Sequence, residues 1–264
     1  MTRLATLALL VGLLAAGRTA AEEPLRLRVL SYNIHHGEGV DGRLDLRRIA
    51  EVIRAAEPDL VALQEVDRRV LRSWLADQPA LLAKWTGMQA RFERNIAIHG
   101  GDYGNAVLSA LPIVKHRNHH LPVVDGGEQR GVLDVLLRLP EERGTLRLLA
   151  THLDYRAADE ERLAAVKAIA KLVAESPDTP ALLVGDLNAL PDSAVLKQFN
   201  QRWTPASREP LPTVGSPNPD HQIDYVLSRP ADRWKVVEVR VLDEPVASDH
   251  RPLLAVLELL PAEK

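Results

Sequence analysis

Residues 103–152, YGNAVLSALPIVKHRNHHLPVVDGGEQRGVLDVLLRLPEERGTLRLLATH, decide the fold class. Within them fall four strand-like runs: NAVLSAL, IVKHRNHHLPV, RGVLDVLLRL and TLRLLATH. The runs are apolar or alternating, of strand length, and have no helical periodicity between them. Such a series predicts antiparallel hairpins or a meander, with LPEERGT (139–145) as one turn. His116, His119 and His120 lie in the alternating run, which predicts surface positions rather than a second metal site.

Outward from this block, apolar runs alternate with helical patterns. Leu46, Ile49, Ala50 and Ile53 mark a helix that ends before Pro58. A second pattern covers Trp74 to Trp85, with Pro79 as a break point. A third spans Ala158 to Ala174 and is expected to bury Leu163, Val166, Ala170 and Val173, with charges opposite. Its opening, RAADEER, places acids where the helix dipole favours them. A mixed sheet follows, so the pattern by itself gives α/β or α+β. No repeat or linker divides residues 22–264, which read as one domain.

Residues 1–21 read as a secretion signal. Arg3 supplies the charge, Leu4 to Ala16 the apolar core, and Thr19-Ala20-Ala21 the small residues before Glu22. The run is too short for a membrane anchor. The 264 residues contain no cysteine, which excludes disulfides and a cysteine-linked lipid anchor. The expectation is a secreted or periplasmic monomer without a stable membrane anchor, held by its core alone.

Polar residues gather at the ends of the apolar runs. LRVLSYN ends in Asn33, DLVALQE in Glu65 and RLLATH in His152. ALLVGDLN carries Asp186 and Asn188, HQIDYVL carries Asp224, and ASDHRPLLAVLEL opens with Asp249 and His250. Tips of buried strands lie where a sheet meets solvent, and these tips carry only metal-ligand and proton-transfer chemistry. They predict one shared site. Taken singly, Glu65 reads as an exposed strand end, Asn33 as a turn residue, and Asp186 with Asn188 as an Asx-turn. Gly185 is read as allowing close approach of a ligand, and Gly104 as permitting a tight turn.

The blocks SYN, LQEVD, YGNAVLS, THLD, GDLN, IDYV and SDHRP, in this order, resemble the endonuclease/exonuclease/phosphatase superfamily of metal-dependent phosphoesterases. Pancreatic deoxyribonuclease, the abasic-site endonucleases, bacterial sphingomyelinases and poly(A) deadenylases are members of it. The resemblance covers nearly the whole chain after residue 25. It implies a four-layer sandwich, two mixed β-sheets packed face to face with helices outside. It implies Mg2+ or Mn2+, with Glu65 as main ligand, Asn33 assisting, and Asp249 supporting the metal or the water. Asp186 and Asn188 would orient the attacking water. Asp224 would orient His250, which acts as general base or as a positive group. His152 would contact the phosphate or protonate the leaving oxygen, and Arg130 would clamp the phosphate. Asn105 and Tyr103 would border that pocket. His35 and His36 follow Asn33 within reach of a substrate, and His221 is a weaker candidate.

The implied substrate is a phosphoester of nucleic acid, lipid headgroup or small metabolite. Net charge is −3 and aromatics are 4%, which offers no basic-plus-aromatic groove for nucleic acid. Arg47, Arg48, Arg68, Arg69 and Arg72 could still line one rim. For lipid, no exposed hairpin rich in Trp or Phe is visible in the sequence. The residues after GDLN, ALPDS, do not resemble the inositol-polyphosphate branch. No Walker loop, GxSxG elbow or zinc-type spacing is present. An inactive binding protein is disfavoured because Glu65, Asp186, Asn188, Asp224, Asp249 and His250 are all there. Residues 68–100 and 201–220 are the expected lids, the second stiffened by Pro205, Pro210, Pro212, Pro217 and Pro219.

Overall fold

The computed structural model describes residues 23–262; the expected signal segment, 1–21, lies outside them. In chain order the elements are β1 (Leu25–Asn33), α1 (Leu46–Ala56), β2 (Leu60–Arg68), α2 (Gln78–Thr86), β3 (Gln89–Ile98) and β4 (Gly101–Ser109). Then follow β5 (Ile113–His120), β6 (Gly131–Arg138), β7 (Thr145–His152), α3 (Glu160–Ala174), β8 (Ala181–Asp186) and α4 (Ala194–Phe199). The last are β9 (Thr204–Pro205), β10 (Asp224–Arg229), β11 (Trp234–Val241) and β12 (Leu253–Leu259).

The strands form two six-stranded mixed sheets, ordered β11-β12-β1-β2-β4-β3 and β5-β6-β7-β8-β10-β9. Each sheet contains one parallel pair, β1 with β2 and β7 with β8. Those pairs need crossovers, and α1 and α3 supply them. The remaining pairings are antiparallel; of the strands in residues 103–152, β5, β6 and β7 form the expected meander, whereas β4 lies in the other sheet between β2 and β3.

Continuous Val and Leu runs result from burial on both faces. Leu27, Val29, Leu60, Ala62, Leu148, Ala150, Leu182 and Val184 meet between the sheets. Leu30, Val61 and Leu63 face Ile49, Ile53 and Leu82 on the helical side of one sheet. Leu149 and Leu183 face Ile169, Val173 and Phe199 on the other. This is the expected sandwich with helices outside.

Four local expectations are corrected. Pro79 does not break a helix: it sits in the first turn of α2, where its missing N–H is no loss, and Trp74 lies outside that helix. Helix α3 turns Ala165, Val166, Ile169, Leu172 and Val173 inward, leaving Leu163 and Ala170 only partly buried. It also buries Glu161 and Arg162, because they bond two loops: Glu161 Oε2 accepts from Val124 N (2.8 Å) between β5 and β6, and Arg162 Nη1 donates to Asp154 O (2.6 Å) after His152. Gly104 and Gly185 lie inside strands and accommodate neighbouring strands rather than a turn or a ligand. A Cβ at Gly104 would collide with the Glu93 carbonyl, and one at Gly185 (φ +149) with the Thr151 carbonyl. Finally, an apolar surface segment does exist, for Leu71, Trp74 and Leu75 all stand exposed between β2 and α2.

The histidines of β5 are surface residues as expected, His116 near Glu93 (3.2 Å) and His119 near Asp134 (3.4 Å).

Candidate active site

The inward faces of five strands change from apolar to polar at one common end. In β1 the series is Leu27, Val29, Ser31, Asn33; in β2 it is Leu60, Ala62, Gln64. In β7 it is Leu146, Leu148, Ala150, His152, and in β8 it is Leu182, Val184, Asp186. Strand β10 opens at the same end with Asp224, which pairs with Asp186. The polar end coincides with the carboxyl ends of both parallel pairs, where open α/β sheets bind ligands. The sandwich therefore brings His152, Asp186 and Asp224 of one sheet opposite Asn33 of the other.

Glu65 reaches this place through a bulge. Leu63 opposes Ala106 while Val66 opposes Gly104, so Gln64 and Glu65 face the single residue Asn105. Glu65 takes a left-handed φ of 57°. A bulge of this kind re-aims a side chain beside an active site. It also explains why Leu63 and Val66, three apart, both lie in the helical-side core.

Asn33 joins the sheets. Its Nδ2 donates to Glu65 Oε1 (3.1 Å) and Asp186 Oδ2 (3.2 Å), and its Oδ1 accepts from His35 N (3.1 Å). Asp186 Oδ2 also lies 3.4 Å from His152 Nε2 and 3.8 Å from His250 Nε2. Asp186 Oδ1 accepts from Asn188 N (2.9 Å), so the Asx-turn forms as well, while Asn188 Nδ2 donates to Leu153 O (3.0 Å). His250 Nδ1 bonds Asp224 Oδ2 at 2.8 Å. The buried Arg130 places Nη1 3.1 Å from His152 Nδ1 and 3.1 Å from Glu128 Oε1. Because Arg130 can only donate, His152 Nδ1 accepts and Nε2 carries the hydrogen.

Among the described residues two groups gather donor atoms that lie, within each group, no more than 4.8 Å apart: Asp186, Asp224 and His250, and His35, His36 and Glu65. Asp249 belongs to neither. Its carboxylate lies 3.2 Å from Ser248 Oγ and adds negative charge around His250. Asn105 gives its amide to Gly131 O (3.2 Å), and Tyr103 lies beneath the Arg72 guanidinium (5.3 Å). His221 is exposed, bonded to Asp220. The second expected lid packs on the segments that carry Asp224 and Asp249: Gly215 N donates to Asp249 O (3.1 Å), and Thr213 Oγ1 accepts from Asp224 N (3.3 Å).

The electrostatics separate the acidic and basic groups. Burial raises Asp186 to about 7, with the charge of Asp224 adding to the effect. For His250 burial opposes the charged form, but Asp224, Asp186 and Asp249 outweigh it and lift the ring to about 10. His152 is held well below its ordinary value by burial, then by Arg130 and His250. At neutral pH the site thus holds a cationic His250, a neutral His152 and a titrating Asp186.

Sequence reading passed over Gln64 and Ser248. Gln64 is buried with neither amide atom bonded, on the inter-sheet face below the site. Ser248 Oγ donates to Asn33 O (2.8 Å), tying the His250 segment to β1. Strand alternation could have placed Gln64; nothing in the sequence links Ser248 to Asn33.

The sequence profile described as Endonuclease/Exonuclease/phosphatase family matches residues 30–250. The chain belongs to this family. Members of this endonuclease/exonuclease/phosphatase family are hydrolases acting on phosphoester bonds, and they generally use a divalent metal. Among curated relatives is uncharacterized protein YbhP of Escherichia coli, 29% identical over 246 residues, 88% of this chain and 96% of YbhP. A family structure from Beutenbergia cavernae is 28% identical, with a TM-score of 0.74 over 89% of this chain and 72% of that one. A mannosyl-6-phosphatase from Bacteroides thetaiotaomicron shares the fold at 17% identity and a TM-score of 0.72, over 88% of this chain and 99% of that one.

Proposed function

We propose that this chain is an exported phosphoesterase, secreted or periplasmic, dependent on Mg2+ or Mn2+, that hydrolyses its ester by direct attack of water. The observation that carries the reading is Asp186, a buried carboxylate within 3.8 Å of two histidines and bonded to Asn33. A carboxylate held at hydrogen-bond range beside such groups is placed to take a proton from water.

The donor set fits a hard cation, because Glu65 and Asp186 offer carboxylate oxygens on either side of Asn33. Glu65 and Asp186 would hold it, with Asn33 positioning the two carboxylates and His35 and His36 beside Glu65. When bound, the cation neutralises phosphoryl charge as a Lewis acid. Asp186 and Asn188, joined through the Asn188 N–H, orient the water and Asp186 accepts its proton. His250, kept cationic by Asp224, stabilises the charge that develops on phosphorus oxygens. His152, its tautomer set by Arg130, presents Nε2–H to the phosphate or the leaving oxygen. Arg130 Nε, buried and without a protein partner, is the further donor suited to an oxyanion.

A lipid-headgroup or small-molecule ester is favoured over nucleic acid. Of the rim arginines, Arg48, Arg68 and Arg72 are each tied to an aspartate (Asp41, Asp102 and Asp67) instead of standing open to a phosphate backbone.

The test is turnover by residues 22–264 of bis-p-nitrophenyl phosphate, p-nitrophenyl phosphate, plasmid DNA, RNA and phospholipid, with and without Mg2+ or Mn2+. Metal-dependent cleavage that disappears in His250→Ala is the expected result. Cleavage that persists in that variant, or that ignores chelation, overturns the mechanism.

A further inference from the structure

The segment Val70–Leu75 (VLRSWL) places three large apolar side chains in solvent: Leu71 is 66% exposed, Trp74 79% and Leu75 59%. Of the four tryptophans, Trp74 is the one left exposed. Isolated apolar residues on a surface are ordinary, but a cluster of three on one loop marks a contact surface.

The segment is a built projection. Val70 is fully buried as its root, and Ser73 is buried and bonds Val70 O through Oγ (3.1 Å). Its backbone closes on itself, with Ser73 N and Leu75 N donating to Val70 O (3.2 and 2.9 Å) and Trp74 N to Leu71 O (3.0 Å). Trp74 and Leu75 both hold left-handed φ values, 55° and 57°, which non-glycine residues seldom adopt. The fold thus spends strain to turn indole and leucine outward. With its internal bonds already made, the projection loses little freedom when it enters another phase.

Its surroundings specify the occupant. Arg69 (side chain 76% exposed) has only a 3.8 Å contact to Asp77, and Arg68 and Arg94 share one partner, Asp102. Counting Arg68, Arg69, Arg72 and Arg94 against Asp67, Asp77 and Asp102 gives 4 − 3 = +1, on a chain of net charge −3. An apolar tip carrying Trp, with the exposed Arg69 next to its root and with Arg68 and Arg94 sharing the single carboxylate of Asp102, has the chemistry of a surface that lies in the headgroup layer of an anionic bilayer. The projection leaves β2 five residues after Glu65, and Arg72 at its centre reaches back to Asp67 and over Tyr103.

We propose that Leu71, Trp74 and Leu75 dock the protein on an anionic lipid surface, setting the mouth of the site at the headgroup layer where a lipid phosphoester would reach it. The docking stands on the surface alone; the lipid substrate rests on the phosphoesterase reading.

The experiment is co-sedimentation of residues 22–264 with phosphatidylcholine vesicles with and without phosphatidylglycerol, with indole fluorescence read alongside. Turnover of soluble bis-p-nitrophenyl phosphate with Mn2+ is followed in the same preparations. Binding should require phosphatidylglycerol and shift the indole emission to the blue. Leu71→Ser with Trp74→Ser should weaken binding on the order of tenfold or more, leaving soluble turnover unchanged. Wild-type protein that ignores anionic vesicles, or variants that bind as well as wild type, overturn the docking. So does self-association that disappears in Trp74→Ser, which would make a second copy the occupant. Binding without any ester hydrolysis would leave the docking standing and remove the phosphoesterase reading.

Discussion

His250 Nδ1 lies 2.8 Å from Asp224 Oδ2, and both side chains are buried. The partner oxygen, Asp224 Oδ1, has no hydrogen bond, so the carboxylate's interactions are concentrated on one imidazole. Burial works against a charged ring, so the cation persists because the aspartate is there. The pair is interlocked across the sheet, since Asp224 stands opposite Asp186 in the β10–β8 register.

Replacing Asp224 by Asn keeps the shape and removes the charge. His250 then becomes neutral near pH 7, and kcat should fall roughly 10^3-fold or more with KM little changed. Steady-state kinetics on a soluble diester measure this, and a loss below tenfold would refute the role.

The same pair gives stability a pH dependence whose sign can be worked out. The folded pKa of His250, about 10, lies above the ordinary 6.5, so the folded state holds the proton more tightly. That stabilisation is complete below pH 6.5 and is lost as pH rises through 10. Asp186, raised from 3.8 to about 7, adds a slope of the same sign between those values. Urea unfolding should therefore show stability falling from pH 6.5 to 10 in the wild type, and a much flatter profile in His250→Gln. Parallel profiles would contradict the assignment.

Glu65→Gln removes a charged oxygen donor without changing the bulge that presents it. Mn2+ affinity, measured by calorimetry, should drop roughly 10- to 100-fold while the thermal midpoint of the metal-free protein stays close to wild type. Unchanged affinity would move the metal away from Glu65.

Gly104→Ala tests the packing that supports the bulge. The added Cβ meets the Glu93 carbonyl, a backbone atom with no side-chain torsion to relieve the clash. A destabilisation of about 1–3 kcal/mol is expected from denaturant unfolding. Wild-type stability would show that β3 and β4 are less closely paired at this point.

Strands β4, β6 and β7 were legible because burial on both faces forces continuous Val and Leu, and the polar tips were legible because each interrupts such a run. Period-two alternation then carried Asn33, His152, Asp186 and Asp224 to one end of the sandwich. Helix α3 shows the limit. Leu163 and Ala170 fit an apolar stripe on paper, yet the helix turns Glu161 and Arg162 inward, where they satisfy loop backbone at Val124 and Asp154. Arg130 shows another, since its bond to His152 joins residues 22 apart in sequence and fixes a tautomer that composition cannot express.

Residue type and strand periodicity are local properties, so they already name the side chains able to do chemistry. How those side chains meet is a property of the folded chain. The bulge that turns Glu65 inward, the Asn33 amide between two sheets, and the exposure of Leu71, Trp74 and Leu75 all depend on contacts between distant segments. Those contacts exist only once backbone hydrogen bonds and core packing have been satisfied together.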